Sequence, residues 1–347
     1  MKISDQTFLV TGGCGFIGSN FVHYLHRNFS DATIVNLDKL TYAGNPENLR
    51  DIEDSVQYHF VKGDICDKEL VESIFREHHP DMVVNFAAES HVDRSIGAPE
   101  DFINTDVYGA YRLLEVSKEF NVDKFIQIST DEVYGSIDDG TFSETDPLMP
   151  RNPYAASKAG ADRLAYSYSQ TYDMPVIITR ASNNFGPYQY PEKLIPLFVT
   201  NAIDDEQLPL YGDGKNVRDW LYVEDHCDAV CFIIQYGENG ETYNIGGGNE
   251  KQNIEITKSI ISALGKDESL IKYVRDRQGH DRRYALDTRK LEALGWVPKY
   301  REDDGFQKAM QRTVDWYSEN ENWWRPLKSG EFLEYYKQHY NLELSAD

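Results

Sequence analysis

The stretch TFLVTGGCGFIG, at residues 7–18, decides the fold that the sequence predicts. Its first five residues are apolar or β-branched and predict a buried strand, and Phe16–Asn28 has the apolar spacing of a helix. Gly12, Gly15 and Gly18 form a G-x-x-G-x-x-G turn between the two elements. Glycine permits a tight turn, a close approach of the backbone to a pyrophosphate, and close packing of the helix on the strand. The stretch therefore predicts the opening of a dinucleotide-binding unit.

The rest of the first half continues this alternation of strands and helices. Further short apolar runs predict strands at Thr33–Leu37, Tyr58–Val61, Met82–Phe86, Phe125–Ser129 and Val176–Thr179. Helical patterns between them occur at Lys68–His78, Asp101–Phe120 and Ala155–Tyr172. Continuous apolar strands separated by helices indicate a parallel sheet with both faces covered. The predicted fold class is α/β, with a Rossmann-type doubly wound parallel sheet.

The pattern changes after Arg180, which predicts a second structural unit. Residues 183–218 contain several prolines and glycines and few long periodic segments. Strand and helix patterns return at Trp220–Gln235, Thr242–Ile245, Ile256–Leu264 and Gly305–Tyr317. We predict a discontinuous division of the chain into a Rossmann domain, a smaller mixed α/β substrate-binding domain and a C-terminal tail. The Rossmann domain comprises residues 1–182 and about 219–250, the smaller domain about 183–218 and 251–330, and the tail 331–347.

The composition excludes several classes of partner. Among 347 residues, 58 are acidic and 35 basic, which gives a net charge of −23. Extended nucleic acids and anionic membranes require a basic face, so neither is predicted as a partner. The longest apolar run, Ala229–Tyr236, is too short to span a bilayer, and the first ten residues lack the pattern of a signal peptide. We therefore expect a cytoplasmic protein.

The four cysteines do not indicate a metal or disulfide site. They are Cys14, Cys66, Cys227 and Cys231, and no two have the C-x-x-C spacing. Cys227 and Cys231 fall on one face of an apolar helical stretch, which favours small buried thiols. The histidines likewise have no ligand spacing, so no metal is predicted.

An acidic residue after the second strand indicates which dinucleotide would bind. Asp38 lies 20 residues beyond Gly18, where a carboxylate can accept hydrogen bonds from an adenosine ribose and would repel a 2′-phosphate. This predicts NAD rather than NADP as the cofactor. After the third strand, Asp64 and Ile65 are placed to contact adenine, although Asp64 could equally cap the following helix.

A tyrosine and a lysine one helical turn apart indicate redox chemistry at a hydroxyl group. Tyr154 and Lys158 have i,i+4 spacing near the start of a predicted helix and so share one face. An ammonium beside a phenol favours the phenolate and should lower its pKa toward neutrality. Tyr154 could then remove a hydroxyl proton as hydride leaves the same carbon, with Thr130 hydrogen-bonding the reacting oxygen.

Two adjacent carboxyl groups predict a second proton transfer. Asp131 and Glu132 follow Thr130 at the end of the fifth strand, in the sequence STDEVYG. If one carboxyl remains charged as a base, its neighbour can be protonated as an acid. The alternative is that one of the pair caps the turn that follows.

These motifs resemble the extended short-chain dehydrogenase/reductase family, and more narrowly the dTDP-glucose 4,6-dehydratases. The resemblance covers about residues 7–325 and includes LDKLTYAG, AAESHVDRS, STDEVYG, SNNFGPYQYPEKLIP, RDWLYVEDH and GHDRRY. The sequence departs from the usual pattern at Cys14, at Arg180 and Ala181, and at Gln278. None of these departures removes a predicted catalytic group, but Gln278 could alter a loop that contacts substrate.

The resemblance implies a three-stage reaction of dTDP-glucose. Tyr154 deprotonates the C4 hydroxyl as hydride passes to NAD, Glu132 removes the C5 proton while Asp131 protonates the departing C6 hydroxyl, and hydride then returns to C6. The product is a 4-keto-6-deoxy sugar nucleotide, the precursor of rhamnose or another deoxysugar. Homodimers formed through two sheet-flanking helices, here 101–120 and 155–172, are also implied.

The resemblance also assigns binding residues, which stand here as expectations. The cofactor residues implied are Gly12, Gly15, Phe16, Ile17, Gly18, Asp38, Lys39, Thr41, Asp64, Ile65, Phe86, Ala87, Ala88, Ser90, Thr105, Tyr154, Lys158 and Asn184. The substrate residues implied are Ser90, Thr130, Asn183, Lys193, Leu194, Pro209, Tyr211, Arg218, Asn253, Arg275 and His280.

Basic residues in the second half are candidates for gripping a diphosphate. The guanidinium of Arg218 can bind two phosphate oxygens at once, although it could instead pair with Asp219 or Asp213. A basic island surrounds His280 and consists of Arg275, Arg277, Arg282 and Arg283. In an acidic chain such an island is a credible phosphate clamp.

Other functions compatible with the same fold are a UDP-sugar decarboxylase, a 4-epimerase and a dehydratase of another nucleotide sugar. The Asp131–Glu132 pair argues against an epimerase, and decarboxylases typically have Ser-Glu in its place. A catalytically inactive dinucleotide sensor should have lost part of the set Thr130, Tyr154 and Lys158, and all three are present.

Overall fold

The computed structural model describes residues 3–276, 281–330, 332–334 and 336. The strands in this part of the chain are β1 Thr7–Thr11, β2 Thr33–Asp38, β3 Tyr58–Lys62, β4 Met82–Asn85, β5 Lys124–Thr130, β6 Val176–Ala181, β7 Asn183–Phe185, β8 Leu208–Tyr211, β9 Val217–Tyr222, β10 Thr242–Ile245, β11 Glu250–Gln252 and β12 Ile271–Val274. The α-helices are α1 Phe16–Asn28, α2 Lys68–His78, α3 Val92–Gly97, α4 Pro99–Phe102, α5 Ala110–Glu119, α6 Pro153–Tyr172, α7 Leu194–Ile203, α8 Val223–Tyr236, α9 Asn253–Leu264, α10 Arg289–Leu294, α11 Glu302–Glu319 and α12 Glu321–Trp324.

Seven of the strands form one sheet in the order β10-β6-β5-β4-β1-β2-β3. All neighbouring strands in this sheet are parallel. The chain order reverses at the junction of β1 and β4, where a doubly wound sheet opens a crevice for ligands. The predicted α/β fold class, a Rossmann-type parallel sheet, is confirmed.

The sheet is covered on both faces because successive residues of each strand point to opposite sides. Phe8 and Val10 of β1 pack in a core with the apolar faces of α1 and α8. Leu9, between them, packs in a separate core with residues of α2, α5 and α6. Each face therefore has its own apolar layer, which explains why the strands are almost continuously hydrophobic.

The second half of the chain builds a smaller layered region beside the sheet. Strands β11, β9 and β7 form a three-stranded sheet, and β12 pairs in parallel with β8. Helices α7, α9 and α11 supply the apolar core of this region. Helix α8 and strand β10 return to the large sheet, whereas residues 217–222 lie in the small one.

The chain is helical where Asp101–Phe120 was predicted, but this helix is not α-helical throughout. The chain forms α4, then a π-helical segment at Ile103–Gly109, and only then α5. The wider π turn contains Asp106, which is buried and accepts hydrogen bonds from Glu89 N and Ser157 Oγ. π turns of this kind often occur at functional sites, and this one faces the helix that contains Tyr154 and Lys158.

Other predicted boundaries agree closely with the structure. Helices α1 and α2 have the predicted limits, and the predicted Trp220–Gln235 segment divides into β9 and α8 at Tyr222. Helix α7 was missed in a region expected to be irregular. Its sequence, LIPLFVTNAI, is buried at eight of ten positions, so it has no polar face to reveal a helical period.

A buried ion pair connects helix α6 to strand β6, and its loss is expected to destabilise the fold. The guanidinium of Arg180 is 1% exposed and donates to both carboxylate oxygens of Asp162, at 2.8 and 3.1 Å. Without Arg180, the buried carboxylate of Asp162 loses its buried partner and keeps only a contact from the surface. Arg180→Met should therefore lower the free energy of unfolding by about 3–5 kcal/mol. Urea denaturation measures the change.

Arg163 provides a matched control because it contacts the same carboxylate from the surface. Its side chain is 46% exposed. The variant Arg163→Met should lower the free energy of unfolding by about 1 kcal/mol or less. Equal losses for the two variants would show that burial does not set the strength of the Arg180 pair.

Candidate active site

The turn between β1 and α1 has room only for glycine at two positions. Gly12 has φ +69°, and a Cβ there would lie 2.7 Å from the backbone nitrogen of Ala87. A Cβ at Gly18 would lie 2.2 Å from the carbonyl oxygen of Gly12. These contacts bring α1 close to the ends of β1 and β4, as the glycine pattern predicted.

The first turn of α1 is suited to binding an anion. No side chain among the described residues caps this turn, and none of its residues is acidic. Its N–H groups, and the partial positive charge of the helix N-terminus, therefore remain available to a ligand. Phe16, Ile17 and Gly18 line the cavity that opens above the turn.

This first cavity extends along the carboxyl ends of β1, β2, β4 and β5. Among the residues described, it includes every expected cofactor residue except Asn184. The residues concerned are Gly12, Gly15, Phe16, Ile17, Gly18, Asp38, Lys39, Thr41, Asp64, Ile65, Phe86, Ala87, Ala88, Ser90, Thr105, Tyr154 and Lys158. Asn184 lines a second cavity instead, where its Oδ1 lies 2.9 Å from Nδ1 of His226.

Asp38 is held in place by the backbone at the end of β2. Its carboxylate accepts hydrogen bonds from Cys14 N at 2.9 Å and Leu40 N at 2.8 Å, and burial raises its pKa. The fixed carboxylate retains acceptor capacity for ribose hydroxyls and would repel an added phosphate. The side chain of Cys14 is buried and contacts Asn36, so this departure from the usual sequence places no new group in the cavity.

Asp64 does not cap the helix after β3. That role belongs to Asp67, which accepts a hydrogen bond from Leu70 N. Asp64 instead pairs with Lys39 at 2.8 Å and accepts a hydrogen bond from Cys66 N. The ion pair lowers the pKa of Asp64.

The tyrosine and lysine reach the site from α6, but the expected lowering of the tyrosine pKa is wrong in this structure. Burial raises the pKa of Tyr154 well above its ordinary value, and the charges of Glu132 and Asp106 add to the increase. The Nζ of Lys158 donates to the carbonyl of Ile128 at 2.7 Å, and burial lowers the pKa of this lysine. A hydrogen bond between Thr130 and Tyr154 acts in the opposite direction and lowers the pKa of the phenol.

Asp131 and Glu132 have different surroundings, as two carboxyl groups with different roles require. Asp131 is 2% exposed, and burial, followed by the charge of Glu132, raises its pKa well above the ordinary range. Thr130 Oγ1 donates to Asp131 Oδ1, whereas Asp131 Oδ2 has no hydrogen-bond partner among the described residues.

Glu132 borders the second cavity and accepts a hydrogen bond from Asn152 at 3.4 Å. The turn that contains both acids is capped by Thr130, whose Oγ1 accepts from Glu132 N at 3.3 Å. The alternative that Asp131 or Glu132 serves as the cap is therefore wrong. Both carboxyl groups remain available for chemistry.

The second cavity brings together most of the expected substrate residues. Those that line it are Asn183, Lys193, Leu194, Pro209, Tyr211, Arg218 and Asn253. Ser90 lines the first cavity, while Thr130 and Arg275 are outside the lining of both. His280, with Arg277, lies outside the described residues. Lys193 lines both cavities, so the two are neighbours.

Arg218 is not paired with either acid that the sequence offered as its partner. Its guanidinium donates to the carbonyls of Val217 and Asp281, at 2.7 and 2.9 Å, and lies 4.3 Å from the ring centre of Tyr284. Asp219 accepts from the backbone nitrogens of Gly247 and Asn249 instead.

Two of the four arginines of the predicted basic island pair with acids. Arg282 pairs with Asp213 at 2.9 Å, and Arg283 pairs with Glu250 at 2.8 Å. The acids belong to the turn after β8 and to β11, which face these arginines in the fold. The sequence analysis missed them because the linear sequence does not show which strands are neighbours. The phosphate clamp therefore stays a prediction, and these two arginines would have to exchange their acidic partners for a phosphate.

Sequence reasoning missed several residues that line the cavities. His91, Gln189, Glu192, Phe198 and Trp220 line the second cavity, and Gln189 and Glu192 also line the first. Glu192 lies within the quoted motif PEKLIP, next to Lys193, but nothing in the linear pattern distinguishes it from a surface acid. Within the described part of the chain, no group of histidine, cysteine or acidic residues is arranged to hold a metal. No helix there has the length and apolar character that crossing a membrane would require.

Comparisons with known proteins agree with this arrangement. The family model described as GDP-mannose 4,6 dehydratase matches residues 9–309. The chain is 54% identical over 309 residues to the low-salt glycan biosynthesis protein Agl12 of Haloferax volcanii, which covers 89% of this chain and 97% of that protein. It is 49% identical over 346 residues to the dTDP-glucose 4,6-dehydratase of Xanthomonas campestris pv. campestris, and the alignment covers 94% of this chain and 97% of that protein. The crystal structure of DesIV, a dTDP-glucose 4,6-dehydratase from Streptomyces venezuelae with NAD and TYD bound, superposes with a TM-score of 0.89 at 49% identity and covers 93% of this chain and 100% of that one.

The raised pKa of Asp131 predicts a pH-dependent cost to stability. An acid whose pKa is raised by folding destabilises the fold progressively as pH rises from its unfolded to its folded pKa. Asparagine is uncharged in both states, so Asp131→Asn should increase the free energy of unfolding by about 1–3 kcal/mol near pH 8 and by much less near pH 4. Urea denaturation at the two pH values measures the difference. The exposed variant Asp54→Asn is the control, and an equal pH trend in both would contradict the prediction.

Proposed function

The chain belongs to the family described as GDP-mannose 4,6 dehydratase, and on that premise we propose that it dehydrates dTDP-glucose to dTDP-4-keto-6-deoxyglucose with NAD as cofactor. The observation that carries this function is the Asp131–Glu132 pair beside Tyr154. Asp131 is buried, which raises its pKa well above the ordinary range and suits a proton donor, whereas Glu132 borders the second cavity. The site therefore holds an acid and a base in addition to the tyrosine needed for oxidation at a hydroxyl group.

The first cavity has the groups that NAD requires. The backbone N–H groups in the first turn of α1, directly after Gly15, can donate hydrogen bonds to the pyrophosphate. The fixed carboxylate of Asp38 can accept hydrogen bonds from the adenosine ribose. When bound there, NAD supplies an acceptor for the hydride of C4 and later returns it to C6. The remaining steps belong to the side chains of this chain.

Tyr154 removes the proton of the sugar C4 hydroxyl. In the structure its pKa is raised, so the phenol remains protonated until positive charge favours the phenolate. Lys158, one turn along α6, is the nearby cation of the chain, and the oxidised cofactor ring adds a second positive charge. Thr130, hydrogen-bonded to the same phenol, orients the reacting oxygen.

Glu132 and Asp131 carry out the elimination of water. Once C4 is a ketone, the adjacent C5–H bond becomes acidic, and Glu132 takes its proton. The C6–O bond breaks as Asp131 donates its proton to the departing hydroxyl, and water leaves. Glu132 then returns its proton to C5 as C6 receives the hydride. Exchange with solvent removes from Tyr154 the proton taken at C4 and restores the proton that Asp131 gave, so the net change is the loss of one water molecule.

Arg218 and Lys193 provide positive charge for the nucleotide diphosphate in the second cavity. The buried guanidinium of Arg218 lines this cavity and is held in place by hydrogen bonds to two carbonyls, so it can contribute positive charge to the binding of an anion. Asn183 and Asn253 line the same cavity, and each has a buried side-chain oxygen with no hydrogen-bond partner in the described structure. A substrate could satisfy both oxygens with its own donors.

Epimerases and decarboxylases with this fold are the alternatives. An epimerase needs no acid to expel a hydroxyl group, whereas Asp131 lies at a buried site beside Thr130, where its raised pKa suits a proton donor. The separate idea of an inactive dinucleotide sensor is disfavoured because Thr130, Tyr154 and Lys158 are present together. We therefore retain dehydration as the function.

We also propose the domain division that the sequence suggested, with residues 1–182 and about 219–250 for NAD, about 183–218 and 251–330 for the nucleotide sugar, and a tail at 331–347. The two separate apolar cores of the sheet and the third core around α7, α9 and α11 support it. We place the protein in the cytoplasm, in deoxysugar formation such as that of rhamnose. Four free cysteines are consistent with a reducing compartment.

We further propose a homodimer formed by the surface of α6 and the π-helical segment before α5. This surface exposes large apolar side chains, which is typical of an interface. Its members are Ile103, Tyr108, Tyr166 and Tyr172, with exposed fractions of 57%, 42%, 40% and 52%. Pairing with the same surface of a second copy would bury all four.

Charge placed on this surface should separate the dimer. Sedimentation equilibrium should give twice the 39.9 kDa of one chain for the parent and a single mass for the double variant Tyr166→Lys, Tyr172→Lys. The double variant Tyr236→Lys, Tyr273→Lys alters tyrosines that are 60% and 56% exposed elsewhere, and should remain dimeric. A monomeric parent would refute the dimer, and dissociation of both variants would refute this interface.

The function is tested by incubating the purified protein with dTDP-glucose, UDP-glucose and GDP-mannose and measuring product mass. We expect the loss of one water from dTDP-glucose in preference to the other two. The variant Glu132→Gln should slow water loss by at least about 100-fold because it removes the base, while NAD binding is retained. Absence of water loss from every sugar would reject the proposed function, and unchanged turnover of Glu132→Gln would remove this residue from the mechanism.

A further inference from the structure

A buried carboxylate joins three separate segments at the junction of the two cavities. Glu192 is 5% exposed and lines both cavities. Its Oε1 accepts a hydrogen bond from the hydroxyl of Tyr42 at 2.8 Å, and its Oε2 accepts one from Nε of Arg94 at 3.3 Å. The guanidinium of Arg94 also lies 3.8 Å from the ring centre of Tyr42. We call these three residues the clasp.

Each member of the clasp belongs to a segment that borders the first cavity. Tyr42 lies between Thr41 and Ala43, both of which line that cavity after β2. Arg94 is in α3, which follows the lining residues Glu89 and Ser90 beyond β4. The clasp therefore connects the loops that follow β2 and β4 to the segment that leads into α7.

The next residue strengthens the same connection. Lys193 Nζ donates to the carbonyl of Ser90 at 2.7 Å, and Tyr190 packs edge-on against Tyr42 with ring centres 5.5 Å apart. Helix α7 begins directly afterwards, and Leu194 at its start lines the second cavity. The loops beside the first cavity that contain Tyr42 and Ser90 are thus joined to the wall of the second cavity.

We propose that Glu192 is a positioning residue that latches the first cavity closed and so retains NAD between the two hydride transfers. The inference rests on the proposed function, because returning hydride to the same sugar requires that the reduced cofactor stay bound after C4 is oxidised. Opening the clasp would break two hydrogen bonds and leave a buried carboxylate without its partners, which opposes opening. Glu192 itself transfers no proton and acts through Tyr42 and Arg94.

The test measures release of NAD from the holoenzyme without any sugar present. The variant Glu192→Gln keeps the shape of the side chain and an oxygen acceptor, but it removes the charge that pairs with Arg94. We expect this variant to release NAD about tenfold faster than the parent or more. Rapid gel filtration, with quantification of the cofactor that remains bound, measures the release. Tyr42→Phe removes one hydrogen bond and leaves the ion pair, so a smaller acceleration is expected.

Asp204→Asn is the matched control. Asp204 follows the opposite end of α7, pairs with Arg325 at 2.9 Å, and lines neither cavity. Its variant should release NAD at the parental rate, and thermal unfolding of all variants establishes that they are folded. Parental release by both Glu192→Gln and Tyr42→Phe, or equal acceleration by Asp204→Asn, would overturn the latch.

The result is separable from the dehydratase assay. If the parent holds NAD and the clasp variants release it faster, the latch stands even when dTDP-glucose is not dehydrated. If dTDP-glucose loses water but all variants release NAD equally, the function stands and the latch fails. If Glu192→Gln does not fold, Tyr42→Phe decides, because faster release by that variant supports the latch and parental release rejects it.

Discussion

The close approach of the first turn to the end of β4 is the constraint on which the whole site depends. With a side chain at Gly12, the backbone of Ala87 would be displaced, and with one at Gly18 the helix could not approach the turn. Because Gly12 and Gly18 have no side chains, β1 and β4 end side by side at the point where the strand order reverses. The ends of β2 and β5 follow from the pairing of neighbouring strands, and they deliver Asp38 and Thr130 to the same edge. The positions of the cofactor site and of the catalytic acids are thus consequences of one packing contact.

A protein with a net charge of −23 nevertheless offers two sites for diphosphates. The first relies on backbone amides and a helix dipole, which need no basic side chain. The second includes a buried arginine, Arg218, whose guanidinium is held in place by hydrogen bonds to two carbonyls. The surface arginines Arg282 and Arg283 are paired with the carboxylates of Asp213 and Glu250. Local arrangement, rather than total charge, determines which anions the protein can bind.

The sequence predicted most of the large sheet because its signals are local. The apolar strands, the glycine turn and the limits of α1 and α2 need only the residues within each segment. Where prediction failed, the cause lay in contacts between distant segments. The acids that neutralise Arg282 and Arg283 lie on other elements, the π-helical segment is stabilised around Asp106 by Glu89 and Ser157, and α7 has no polar face because other helices cover it. For Tyr154, proximity to Lys158 suggested a lowered pKa, but burial and two carboxylates outweigh a lysine that is turned to a carbonyl.

The catalytic groups reach the site on two elements that need a common anchor. Tyr154 and Lys158 are on α6, whereas Asp131 and Glu132 are on the turn after β5. Arg180 contacts both elements: its guanidinium donates to Asp162 on α6 and to the hydroxyl of Tyr134 at the end of the acidic turn, at 2.6 Å for the latter. Proton transfer needs the donor and acceptor within hydrogen-bond distance, so relative movement of the two elements would separate the base for oxidation from the acids for elimination. A buried ion pair behind the sheet edge can therefore serve the chemistry by fixing distances, even though its net contribution to stability is reduced by the cost of taking the charges out of water.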